Sequence, residues 1–236
     1  MKQVFYPQSE RGHANFGWLD SFHSFSFGNY YHPEKTNFGA LRVLNDDIVS
    51  PSMGFGTHPH DNMEIVSIPL YGELAHRDST GTNGVILTGD VQIMSAGTGI
   101  RHSEFNHNPE KNVNFLQIWI LPKEKNISPR YEQKSYSLTE RKNKWQTVVS
   151  PKDENAVWIN QDAYFSLTSL EPKTELSYDV RSHGNGIYLF LLSGKIKVND
   201  QILERRDALG IWEQESIQIE SEISSDILCI EVPMKV

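Results

Sequence analysis

Between residues 41 and 121 the chain is a succession of short runs rich in Val, Ile, Leu, Phe and Trp. Each run is cut off by a turn signal, and none keeps a helical period. Gly72 divides the run 65–71 from the run 73–78, residues 81–84 (Gly-Thr-Asn-Gly) make the next turn, and Gly89-Asp90 opens another. Short strands at this spacing predict a β-sandwich or barrel. A polar, proline-bounded connector at residues 122–129 follows. Beyond it the run 186–194 parallels 64–72, and 207–212 parallels 89–94, so the pattern repeats. The expected organisation is all-β, with residues 1–125 as one domain, residues 126–236 as a second, and a short helix near Ser137.

Within that frame one motif carries chemistry. Thr57-His58-Pro59-His60 is answered by Arg101-His102-Ser103-Glu104. Side chains alternate along a strand, so His58 and His60 share a face, as do His102 and Glu104. If the first strand runs on without a bulge, Asn62 and Glu64 join that face. Two such strands laid antiparallel bring three imidazoles and one or two carboxylates together. That donor set suits a divalent metal: iron first, with copper, nickel, zinc and manganese as alternatives. Gly-Phe-Gly before the first pair and Ala-Gly-Thr-Gly before His102 supply tight turns at matching places. Eight of the nine histidines lie in the first 107 residues, so the metal is expected in the first domain alone.

Other polar residues carry weaker signals. His23 falls in the alternating run 21–27 and reads as a packed histidine or a pocket residue. Asn45-Asp46-Asp47 reads as a turn. His76, Arg77 and Asp78 read as surface residues. Phe25, Phe27, Phe38, Phe55 and Met63 suit either a core or a flat ligand.

Charge narrows the function classes. The net charge is −8 and acidic residues outnumber basic ones in both halves, which argues against direct nucleic-acid binding. The single cysteine, Cys229, lies in an apolar run and reads as a small core residue. The amino terminus shows no apolar signal region and no run approaches a membrane span, so a cytoplasmic location is expected.

The motifs Gly-Phe-Gly-Thr-His-Pro-His (54–60) and Ser-Ala-Gly-Thr-Gly-Ile-Arg-His-Ser-Glu-Phe-Asn (95–106), with Gly89-Asp90, resemble those of cupins and more narrowly of the pirin family. Residues 20–28 and 41–47 also resemble the shorter bacterial pirin-like proteins. The resemblance implies a bicupin of two tandem jelly-roll barrels with short connecting helices. It implies metal ligation by His58, His60, His102 and Glu104, choosing Glu104 over Glu64. It further implies a dioxygenase of the quercetin 2,3-dioxygenase type, acting on a small aromatic substrate with dioxygen, Glu104 serving as base. The rival expectation is a metal-binding redox or metabolite sensor that acts through a protein partner.

Overall fold

The structure, a computed structural model, describes residues 1–235. The first strands are β1 Lys2–Tyr6, β2 Gly12–Asn15, β3 Leu19–His23, β4 Leu41–Val49, β5 Gly54–His60 and β6 Glu64–Tyr71. They continue as β7 Glu73–Asp78, β8 Asn83–Leu87, β9 Asp90–Ser95, β10 Ile100–Asn106, β11 Val113–Ile120 and β12 Arg130–Ser135. The second half adds β13 Gln146–Val149, β14 Tyr164–Leu170, β15 Glu175–Asp179, β16 Asn185–Ser193 and β17 Lys195–Val198. It closes with β18 Gln201–Glu204, β19 Ala208–Trp212, β20 Ser216–Ser221 and β21 Ser225–Pro233. No α-helix occurs among the described residues. The expected short connecting helices are 3-10 turns at Gln8–Glu10 and Leu138–Arg141.

Two barrels result. The first sets a seven-stranded sheet, ordered β12-β9-β6-β11-β4-β3-β2, with a four-stranded sheet, β5-β10-β7-β8. The second sets a six-stranded sheet, β1-β19-β16-β21-β14-β13, with β15-β20-β17-β18. The predicted repeat is visible in the pairing, because β16 lies between β19 and β21 as β6 lies between β9 and β11. Strands are exchanged at the ends. β1, at the amino terminus, pairs with β19 of the second barrel, while β12 pairs with β9 of the first.

The two large sheets pack back to back. Leu116, Ile118 and Ile120 of β11 meet a core that includes Phe165, Phe190, Leu228 and Ile230. Strands buried on both faces read as near-continuous apolar runs, which is why β6, β11 and β16 look so hydrophobic. Phe25 and Phe38 belong to this inter-barrel core rather than to a ligand pocket.

The acidic turn expected at residues 45–47 does not exist, because all three residues lie inside β4. Asp46 faces the inter-barrel side, where its carboxylate meets Arg206 Nε at 2.6 Å and Arg11 at 3.6 Å. Asp47 faces the interior of the first barrel. Cys229 is buried in the apolar filling of the second barrel, as expected. No helix among the described residues is long and apolar enough to cross a membrane.

Candidate metal centre and adjoining cavity

His58 and His60 project from β5, and His102 from β10, which pairs antiparallel with it. The register sets His102 directly opposite His58. Close approach of the two strands requires glycine at position 54, since a Cβ there would lie 2.2 Å from the Glu104 carbonyl oxygen. Gly97 turns the chain into β10 at φ +49°, where a Cβ would collide with the Ile127 carbonyl. Gly97 and Gly99, both at positive φ, make the tight turn expected before His102, whereas Gly54 and Gly56 lie within β5 and form no turn.

The three histidines offer ligand nitrogens that all lie within 4.8 Å of one another. His58 Nε2 and His102 Nε2 are 3.0 Å apart. That is the separation of neighbouring ligands about a metal at roughly 2.1 Å. His58 Nδ1 donates to the Gly56 carbonyl at 2.8 Å, which leaves its Nε2 lone pair facing the cluster. Burial, followed by the neighbouring imidazole of His58, pushes His60 down to about 4 and His102 down to about 2. Both are neutral at physiological pH, the form that binds metal. The donor set fits a divalent ion.

Glu104 shares the inner face of β10 with His102, although a register shift separates them. Its carboxylate accepts from Ser67 Oγ at 3.2 Å and Gln117 Nε2 at 2.7 Å. Burial raises it to about 7. It is not one of the three residues whose ligand atoms converge within 4.8 Å. Glu64 lies elsewhere. β5 ends at His60, Asn62 adopts φ +45°, and the chain re-enters the sheet at Glu64 facing the second barrel. There Glu64 accepts from Ser95 Oγ at 2.8 Å and Asn160 N at 3.1 Å. The bulge-free strand that would have aligned Glu64 with His60 is not formed.

The site opens onto a cavity of about 720 Å³. Its aromatic wall includes Trp18, Phe27, Phe55 and Trp119, and His58 and His60 stand at one side. Trp119 packs edge-on against both His60 and Phe27, with centroids 4.9 and 5.4 Å away. Of the aromatics singled out in the sequence, Phe27 and Phe55 reach this cavity. Met63 instead packs against the apolar plug around Ile65 and Met94.

Gln117, Asn45 and His23 add a polar side to the cavity, of which the sequence pointed only to His23. Gln92, Ser67, Gln117, Asn45 and His23 are registered neighbours on β9, β6, β11, β4 and β3, forming one row across the sheet. All five are buried. Asp47 accepts from Ser21 Oγ, which lies 2.8 Å from His23 Nε2, and burial lifts Asp47 to about 7. His23 is thus a cavity residue, lowered to about 4 by burial and then by Arg11. His76, expected at the surface, is 1% exposed and has its ring 5.4 Å from that of His102. A strand whose two faces are both half polar gives no local signal of which side turns inward.

The comparisons with known proteins agree with this picture. The Pirin family profile matches residues 5–120, and the profile described as a quercetinase C-terminal cupin domain matches residues 147–232. A quercetin 2,3-dioxygenase of Escherichia coli K12 is 41% identical over 226 residues, covering 95% of this chain and 96% of that protein. A pirin-like protein of Caulobacter vibrioides is 37% identical, covering 95% and 97%. The crystal structure of the Escherichia coli bacterial pirin YhhW in complex with nickel(II) superposes with a TM-score of 0.93. It is 37% identical and covers all of both chains.

Proposed function

This chain belongs to the pirin family, and from that premise we propose that it is a metal-dependent dioxygenase that opens a flavonol of the quercetin type. The observation that carries the reading is the convergence of three imidazoles, two of which, His58 and His60, line an aromatic cavity large enough for such a ligand. The catalytic barrel is built mainly from the expected first domain, residues 1–125, but it takes β12 from beyond that bound and gives β1 to the partner barrel, which is otherwise formed by residues 126–236 and carries no metal.

His58, His60 and His102 would hold a divalent ion, which would supply Lewis acidity for a substrate oxygen there. Glu104, behind the histidines on β10, would serve as fourth ligand and would take the proton of the substrate hydroxyl on its carboxylate. The Ser67 hydroxyl and Gln117 amide hold that carboxylate in orientation. Trp119, Phe27 and Phe55 hold the flat ring system and keep water from it.

The test is oxygen uptake by metal-loaded protein given quercetin, against a chelated control. Dioxygen consumption in proportion to flavonol lost, absent from the control, is the expected result. No uptake by metal-replete protein with any flavonol would overturn the reading in favour of the sensor. Glu104→Gln refines it: metal is partly retained while turnover collapses, because an amide is a poorer ligand and a negligible base. Normal turnover by that variant would remove Glu104 from both roles.

A further inference from the structure

The polar row on the cavity floor divides into two parts. Ser67 and Gln117 are occupied by Glu104. The next two rungs, Asn45 and His23, line the cavity, and each retains a buried polar atom with no protein partner, Asn45 Oδ1 and His23 Nδ1. Both residues are more than nine-tenths buried, at 1% and 4% exposure. Native proteins leave few such atoms unpaired, because a buried acceptor deprived of its donor bears the full cost of desolvation.

The hydrogen bonding defines what these rungs accept. With Asp47 ionised, Ser21 gives its proton to Asp47, and His23 Nε2–H donates to Ser21 Oγ at 2.8 Å. His23 Nδ1 is then a lone-pair acceptor. An incoming anion would meet Asp47, which lines the cavity beside these rungs, whereas Arg11 lies behind β3 on the inter-barrel side with Asp46 and does not reach the cavity. A neutral hydroxyl suits both rungs, since it donates to His23 and can donate to or accept from Asn45. Gln117 and His23 are two strands apart, roughly 10 Å, so a ligand reaching from the Glu104 end to this end is an extended, flat molecule.

We infer that His23 and Asn45 form a second polar pole of the cavity, which binds the hydroxyl groups on the pendant ring of a polyhydroxylated aryl ligand whose other end faces the metal. The identity of that ligand rests on the flavonol reading. The pole itself rests on the two unpartnered acceptors. His23 and Asn45 set specificity here, while the reacting end of the ligand lies at the histidine cluster.

The experiment measures anaerobic dissociation constants, by tryptophan fluorescence quenching of the metal-loaded protein. The probes are three flavonols with none, one or two hydroxyls on the pendant ring. The wild-type protein is expected to bind the two-hydroxyl flavonol roughly tenfold more tightly than the one with none, as one or two net hydrogen bonds allow. In His23→Leu and in Asn45→Leu that ratio falls towards one, while affinity for the unhydroxylated flavonol changes less than about twofold. A ratio near one in the wild type overturns the inference without any variant, and so does an undiminished ratio in both variants. Oxygen uptake is followed in parallel. A hydroxyl-dependent ratio without uptake keeps the pole and removes the dioxygenase, whereas uptake with a flat ratio does the reverse.

Discussion

Across the large sheet of the first barrel the inward row reads Gln92, Ser67, Gln117, Asn45, His23. Across the large sheet of the second barrel, a row on the equivalent strands reads Leu209, Leu189, Cys229, Ser166, Thr147. The second interior is filled by one apolar cluster that also includes Ile187, Ile211, Ile217 and Ile227. The first keeps apolar plugs at two places, around Phe115 and around Met94, and leaves an aromatic cavity with a polar side unfilled. The same strand order therefore supports a solid barrel and a hollow one. Burial of aliphatic side chains stabilises the former. The latter holds neutral imidazoles and protonatable carboxylates in a low-dielectric space, where their environment shifts them towards useful chemistry. The back-to-back core links the two, so the filled barrel braces the sheet that carries the cavity floor.

The largest expected effect separates the barrels by metal. Elemental analysis of protein purified without chelators should find one tightly bound ion per chain, and none in His60→Ala. Metal affinity should fall by at least about 100-fold, since losing a ligand exceeds the loss of an outer partner. Two tight ions per chain would end the contrast. A second, smaller effect comes from moving a polar rung into the solid barrel. Leu189→Gln leaves a buried amide without partners and should lower unfolding free energy by about 3–5 kcal/mol, read from urea titration, with metal content unchanged. A loss under about 1 kcal/mol would mean that the second interior tolerates polarity as the first does.

The third effect concerns pH and is read as a slope. Burial raises Asp47 in the folded state to about 7. Between the unfolded value near 4 and that value the folded chain binds more protons, so the contribution of Asp47 to stability falls as pH rises. His60 and His102, lowered by burial, act in the opposite sense in metal-free protein. The informative quantity is therefore the difference between Asp47→Asn and the parent. It should shift in favour of the variant by up to about 1.4 kcal/mol per pH unit between pH 4 and 7 and level off above. Denaturant titrations of both apoproteins at each pH measure it, and a flat difference would mean that Asp47 is charged throughout.

Much of this was legible locally. Alternation and turn glycines mark β4 to β11, and parity puts His58 and His60 on one side of their strand, so that a single antiparallel pairing with β10 brings His102 to them. Those signals depend on neighbours a few residues apart, and a strand's period is set by its own backbone. Asp46 and Asp47 show where such reasoning stops. Asn-Asp-Asp is ordinary turn chemistry by itself, yet these residues stay extended because β3 and β11 bond to both edges of β4. One aspartate then pairs with Arg206, 160 positions away, and the next lines the cavity. Glu64 left the metal face through a single left-handed residue, Asn62, and His76 turned inward because β7 pairs with β10 in that register. The sequence by itself determined the strands and the three-histidine cluster. Which faces close on one another, and so the polar floor, the orientation of both glutamates and the difference between the barrels, was decided by non-local pairing, because the backbone period makes every strand two-sided and only its partners choose the inside.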